Sequence, residues 1–294
     1  MKTVFKGAAT ALITPFDENG VDYESLGKLI DWQIDEGIDA LVVCGTTGES
    51  STLSHEEHEK VLEFAVKKIG GRVPAIAGTG TNDTARAVEL TRYACSLGYD
   101  ATLMVTPYYN KATQNGLIKM FTAIADKSSV PMILYNVPSR TGVNIEPHTY
   151  LALSEHPMIQ GIKEAGGNIS KIAETMSLVG DRLDLYSGND DQIVPVLSLG
   201  GKGVISVLSG IVPGDTARIC RLFFQGRTEE SCNLQLKYLP LIKALFSEVN
   251  PIPVKAAISR MGLCKNILRL PLTEMEERNA ERLYALMREY KLIN

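Results

Sequence analysis

The sequence predicts an α/β fold, a (β/α)8 TIM barrel with a C-terminal helical extension. Three observations predict it. Strand-like and helix-like segments alternate with a short period. The strand-like segments are continuous apolar runs, the pattern of strands covered on both faces as in parallel sheets. About eight such units fill roughly the first 225 residues, the size of such a barrel. A doubly wound open sheet is the structural alternative.

The elements follow in order. GAATALITP (7–15) opens the series, and ALVVCG (40–45) is the second strand. HEEHEKVLEFAVKKIG (55–70) carries Val61, Leu62, Phe64, Ala65 and Ile69 at helical spacing. VPAIAGTG (73–80) is a strand, followed by a helix from about Asp83 to Leu97 that Gly98 closes. ATLMVTP (101–107) precedes a helix over 114–127, and PMILYNVP (131–138) is the next strand. IQGIKEA (159–165), LDLYSGN (183–189) and GVISVLSG (203–210) complete the set. Residues 1–225 therefore read as the barrel and 226–294 as a helical region packed on it. In that region ESCNLQLKYLPLIKALF and EMEERNAERLYALMREYKL have helical spacing, and EVNPIPVK, with two prolines, is expected to be an irregular turn.

The start of the chain imitates a secretion signal, because apolar residues follow Lys2 and Lys6. Val4 and Phe5 lie between those charges, however, and Pro15-Phe16-Asp17 closes a short run without a small-residue cleavage site, so a first strand is expected. The chain is 45% hydrophobic and 22% charged, with a net charge of −4, which is ordinary globular composition. Lysines and arginines are scattered rather than striped, which argues against nucleic acid as a partner. No apolar stretch is long enough to span a bilayer, so no membrane partner is expected. The five cysteines are widely spaced and form no C-x-x-C pair, which suits a reducing, cytoplasmic setting.

In a barrel of this kind the active site lies where the strands end. Those ends read GTTGES (45–50), TPYYNK (106–111), YNVPSRTG (135–142), Lys163, SGND (187–190) and VIS (204–206). Hydroxyls, one arginine and one lysine thus gather at one rim. Tyr135 and Lys163 are embedded in strands rather than loops. Side chains alternate along a strand, so Ile159, Gly161 and Lys163 share a face and Glu164 points to the other. A lysine inside the barrel has a lowered pKa, because desolvation disfavours its charged form. The neutral amine attacks carbonyls and gives a Schiff base. Tyrosine and threonine hydroxyls can relay protons in that step, and Arg140 can hold a carboxylate in bidentate fashion. The alternative is a strand that has reached the surface, with Lys163 snorkelling into water.

Other features have plainer readings. His55 and His58 in HEEH are three apart, one short of the zinc-protease spacing, and Ser54 reads as a helix N-cap. GTGTND (78–83) and GGKG (200–203) complete no phosphate-binding pattern. Cys44 reads as a buried, inert thiol within a strand. Lys255, after its proline turn, is expected on a helix face or in solvent.

GTTGE, YNVPSRTG and GIKEA, in this order and spacing, resemble the dihydrodipicolinate synthase group of pyruvate-dependent class I aldolases. That superfamily also includes N-acetylneuraminate lyase and keto-deoxy-sugar-acid aldolases. The likeness runs from GAATALITPF to NPIPVK and LRLPL, nearly the whole chain. It implies that Lys163 forms the Schiff base with pyruvate and that Tyr135 donates and accepts the proton. Thr46 and Tyr109 would complete the relay, Tyr109 coming from a neighbouring subunit. Thr47 and the backbone of Ile205 would hold pyruvate, Gly188 would line the site through its backbone, and Arg140 would gather the second substrate's carboxylate.

Within the superfamily, the second threonine of GTTGE, the arginine of PSRTG and the tyrosine of YYNK favour the synthase. The implied reaction condenses pyruvate with L-aspartate-4-semialdehyde to 4-hydroxy-tetrahydrodipicolinate, the first committed step of lysine and diaminopimelate synthesis. Neither cofactor nor metal is implied, and the expected assembly is a dimer or a homotetramer built from tight dimers. Another aldolase of the superfamily, cleaving a sugar acid, is the enzymatic alternative. A catalytically silent ligand sensor is disfavoured by the presence of Lys163, Tyr135, Thr46 and Tyr109. The same resemblance marks a possible allosteric lysine site at Ser50, Ser51, His55, His58, Asn82, Arg86 and Tyr108. Lysine-sensitive members carry a glutamate where this chain has Arg86, so feedback by lysine is expected to be weak.

Overall fold

The computed structural model describes residues 3–294, so Lys2 lies outside it. Eight parallel strands close into a barrel: β1 Gly7–Ala11, β2 Ala40–Val43, β3 Ala75–Gly78, β4 Ala101–Val105, β5 Met132–Asn136, β6 Ile159–Glu164, β7 Asp184–Ser187 and β8 Gly203–Ser206. Closure is explicit, because β1 pairs with both β8 and β2. The open-sheet alternative is thereby excluded. Each strand falls within the segment read from the sequence. A short antiparallel hairpin, Phe16–Asp17 with Gly20–Val21, follows β1 outside the barrel.

The apolar runs are explained by burial on both faces. Ala9, Ala11, Ala40, Val42, Ile76, Ala101, Leu103, Ile133, Tyr186 and Ile205 fill the barrel interior. The alternate residues, such as Ala8, Leu41, Val43, Leu134 and Ile162, pack outward against the helices. Phe5 joins the interior cluster and stacks on Tyr186, with ring centroids 4.3 Å apart.

The helix ends follow local chemistry. Ser54 caps His55–Ile69 in a reciprocal capping box with Glu57, and left-handed Gly70 ends that helix. Asp83 caps Thr84–Leu97, which ends at left-handed Gly98. Beyond the barrel, helices Thr228–Leu245, Ile252–Arg260 and Glu277–Glu289 share one apolar cluster with Ile13, Leu29 and Val207–Val212.

Several sequence expectations need correction. EVNPIPVK is not wholly irregular, because a helix begins inside it at Ile252. A proline in the first turn is tolerated there, since that N–H has no intrahelical partner. Lys255 is neither solvated nor on an open helix face. It is fully buried, and its ammonium donates to the carbonyls of Thr14 (2.9 Å) and Ile267 (3.0 Å) and to the carboxylate of Glu49. The sequence places Glu49 and Lys255 206 residues apart, so periodicity cannot reveal the pair. A third correction is smaller: β2 stops at Val43, and Cys44 sits in left-handed backbone at φ 56°. Its thiol is nonetheless buried, and burial pushes its pKa up, as expected of an inert cysteine.

Candidate active site

The carboxyl ends of the strands surround a cavity of about 190 Å³. Thr46, Thr47, Tyr135, Arg140, Lys163 and Gly188 all line it. Six of the eight residues expected from the sequence are therefore brought together.

Lys163 projects inward from β6, and its neighbour in register is Tyr135 on β5. Its ammonium lies 4.2 Å from the centre of the Tyr135 ring. Lys163 is only 6% exposed. Burial lowers its pKa from 10.5 to about 7. Asp190, buried after β7, opposes that fall with its negative charge, and the positive charge of Arg140 adds to it. Asp190 is held in place by the backbone N–H groups of Val207 (3.0 Å) and Leu208 (2.9 Å). Burial thus favours the uncharged amine, which imine formation requires.

Burial raises the pKa of Tyr135, while Arg140 and a hydrogen bond with Thr46 oppose the rise. Burial thus favours the protonated phenol, whose ring lies under the Lys163 amine. Gly188 has a steric reason to be glycine. A Cβ there would sit 2.7 Å from Ala165 Cβ and 3.2 Å from Lys163 Cε, closing the space beside the amine.

The GTTGE loop is strained at both ends, since Cys44 and Glu49 adopt left-handed φ of 56° and 52°. Glu49 is pinned by Lys255 and by the backbone N–H of Arg269 (3.1 Å). The buried ion pair thus fastens the far end of the loop that carries Thr46 and Thr47.

Asn250 was not singled out in the sequence. Its amide donates to Thr47 Oγ1 (3.0 Å), and its carbonyl accepts from Arg140 Nη2 (3.0 Å). Asn250 and Phe246 carry the C-terminal region to the rim of the cavity. The only signal available was the NPIPVK string, which composition alone marks as a turn.

Two expected residues lie apart. Ile205 is fully buried in β8, inside the barrel, and its side chain does not line the cavity. Tyr109 is 94% exposed, in left-handed backbone at φ 69°. It does not line the Lys163 cavity.

A second cavity adjoins the first through Gly45, Thr46, Tyr135 and Arg140 and reaches Ser50, Ser51 and Tyr108. Those three also line a third, which holds His55, His58 and Arg86. Asn82 borders this region by donating to the Tyr108 carbonyl (3.1 Å). Within it, Arg86 Nη1 is 2.8 Å from His55 Nε2 and 3.5 Å from Glu89 Oε2. His58 is buried with Nε2 2.9 Å from the Gly78 carbonyl, and burial lowers its pKa.

The model of the Dihydrodipicolinate synthetase family matches residues 4–290. The chain belongs to that family. The 4-hydroxy-tetrahydrodipicolinate synthase of Acetivibrio thermocellus is 53% identical over 292 residues, 99% of each chain. Among solved structures, dihydrodipicolinate synthase from Aquifex aeolicus superposes with a TM-score of 0.96 at 46% identity, covering 98% of this chain and 99% of that one. The chloride-inhibited dihydrodipicolinate synthase of Acinetobacter baumannii, solved with pyruvate, gives a TM-score of 0.96 at 42% identity, covering 98% and 99%. The fold is therefore that of a lyase family whose members carry the synthase name.

Proposed function

We infer that this chain condenses pyruvate with L-aspartate-4-semialdehyde to 4-hydroxy-tetrahydrodipicolinate through an imine on Lys163. The observation that carries the reading is the Lys163 amine, buried, poised near neutrality and set over Tyr135 in a cavity that also presents Arg140. Names of relatives at 50% identity or more, over nearly the whole chain, support the same reaction.

The chemistry follows from the groups present. The neutral Lys163 amine adds to the keto carbon of pyruvate. Tyr135 donates a proton to the departing oxygen, and loss of water leaves the imine. Removal of a methyl proton gives an enamine, whose carbon attacks the aldehyde of the second substrate. That substrate's own amino group then displaces Lys163 and closes the ring, so one water leaves overall and the amine is regenerated. No redox step occurs, and the imine itself is the electron sink. Thr46 relays protons to Tyr135, Thr47 and the Ile205 backbone hold pyruvate, and the Gly188 backbone lines its pocket. Arg140 is the carboxylate partner of the second substrate.

The working unit is a homo-oligomer, a dimer or a dimer of dimers, in which Tyr109 from a neighbouring subunit completes the relay. A tyrosine held almost fully exposed on left-handed backbone supports a contact outside its own chain. The setting is the cytoplasm, which the five free cysteines suit. No helix among the described residues is long and apolar enough to cross a membrane. The barrel spans residues 1–225 and the helical region 226–294. The deciding experiment compares turnover of aspartate semialdehyde and pyruvate with cleavage of sialic acid and keto-deoxygluconate. Preferential cleavage of a sugar acid overturns the synthase assignment.

A further inference from the structure

The side chains that follow Tyr135 and Lys163 point away from the cavity, yet they are also polar and buried. Asn136 and Glu164 are register partners, one step beyond the register pair Tyr135 and Lys163. Asn136 is 2% exposed and Glu164 9%. The Asn136 amide donates to both Glu164 carboxylate oxygens, at 3.1 and 3.0 Å. Gly166 N–H donates to Glu164 Oε1 at 2.6 Å, and the Tyr150 hydroxyl to Oε2 at 3.3 Å. Asn136 Oδ1 accepts from Ile145 N–H at 3.1 Å, so both ends of its amide are fixed. The backbone is tied at the same level: Ala165 N–H donates to the Asn136 carbonyl (2.9 Å) and Gly188 N–H to that of Glu164 (2.7 Å). Gly166 is fitted to the carboxylate, because a Cβ there would meet Glu164 Oε1 at 2.7 Å.

We propose that Asn136 and Glu164 form a positioning clamp that fixes the distance between Tyr135 and Lys163 for imine formation. A simple packing role would be better served by apolar side chains, since burying a carboxylate costs free energy unless every lone pair is engaged. The preceding outward side chains of the two strands, Leu134 and Ile162, are apolar, whereas Asn136 and Glu164 border a small outer cavity shared with Asn144, Asn168 and Lys171. Consecutive strand residues point to opposite faces, so a rigid bond between the outer pair sets the spacing of the inner pair. Burial raises the carboxyl pKa of Glu164, and the bonds from Asn136, Gly166 and Tyr150 resist that rise. The clamp rests on the assignment of Lys163 and Tyr135 as the reacting pair, and its test separates the two.

The test uses the full-length enzyme and the variants Glu164→Gln and Asn136→Asp/Glu164→Gln. Glutamine keeps the shape but brings an amide donor against the Asn136 amide. Converting Asn136 to aspartate restores a donor–acceptor pair with the polarity reversed, at the loss of the Asn136 donation to Asn144 Oδ1 (2.8 Å), which is why only partial rescue is expected. Small displacements of a reacting group can cost 100-fold in rate, so kcat and the rate of borohydride trapping with pyruvate should fall roughly 30- to 100-fold in Glu164→Gln. The KM for pyruvate should stay within about threefold, and the double variant should regain about tenfold in kcat. Rescue at unchanged melting temperature is a readout that bulk destabilisation does not give.

A Glu164→Gln enzyme with wild-type kcat and trapping rate overturns the clamp, as does a folded double variant no faster than the single one. Should Glu164→Gln fail to fold, Tyr150→Phe removes one donor from outside the barrel. It should then lower kcat about three- to tenfold at unchanged KM, and an unchanged kcat overturns the proposal. Failure of the wild-type enzyme to trap pyruvate at Lys163 overturns the underlying assignment instead.

Discussion

Replacing Lys163 with methionine should abolish turnover and stabilise the protein. Burial of the amine moves its pKa from 10.5 to about 7, and at about 1.4 kcal/mol per pKa unit this represents roughly 5 kcal/mol against the folded state. Methionine has a similar length and no charge to desolvate. After allowance for the lost contact with the Tyr135 ring, a gain of roughly 2–4 kcal/mol at pH 7 is expected. The sign in pH follows from the direction of the shift. Between pH 7 and 10.5 the unfolded chain binds more protons at this residue than the folded one, so wild-type stability rises with pH through that window. The advantage of Lys163→Met is therefore full below pH 7 and shrinks to about 1 kcal/mol by pH 9.5. Urea unfolding of both proteins at equal concentration, at pH 7 and pH 9.5, measures it. A variant no more stable than wild type at pH 7, or a gap that does not change with pH, refutes the reasoning.

Other predictions concern neighbouring groups. The rate of pyruvate trapping should be half-maximal near pH 7 and fall about tenfold per unit below it, and a flat profile between pH 6 and 8 contradicts a lowered amine pKa. Arg140→Ala should cost roughly 2–4 kcal/mol in kcat/KM for aspartate semialdehyde and slow imine formation with pyruvate much less, through the loss of its charge beside Lys163; an equal loss in both makes the arginine structural. Lys255→Met leaves Glu49 buried without its cation and should destabilise the protein by about 3–5 kcal/mol, visible as a lower melting temperature; an unchanged one shows the pair to be dispensable. L-lysine should inhibit weakly, because an ammonium about 4 Å from Arg86 is disfavoured by up to about 4 kcal/mol, and strong inhibition at submillimolar lysine contradicts this.

Much of the site was legible because it is written locally. Strand alternation puts Gly161 and Lys163 on one face, which proves to be the inner one, but Ile159, expected on that face, packs in the outer cluster with Ile162 because the register shifts opposite Gln160. Apolar runs give all eight strands. Thr46, Thr47, Tyr135 and Arg140 lie in short strings at strand ends, where a barrel places its chemistry. What stayed hidden depends on contacts between distant parts of the chain. Lys255 looked like a surface residue because its partners, Thr14 and Glu49, come from the other end of the sequence. Asn250 looked like part of a turn, since nothing local says that its amide meets Thr47 or its carbonyl Arg140. Asp190 follows β7 and acts on Lys163 from β6, across a strand boundary. The sequence did show that Glu164 faces outward, but not that Asn136 meets it there.

The central claim is that Lys163 is the nucleophile. Borohydride reduction of the enzyme in the presence of pyruvate, followed by peptide mass spectrometry, tests it most directly. The account predicts a single pyruvate-derived adduct at Lys163, absent from Lys163→Arg, whose guanidinium stays protonated and cannot form an imine. An adduct at Lys255 or any other lysine, or no adduct at all, contradicts it.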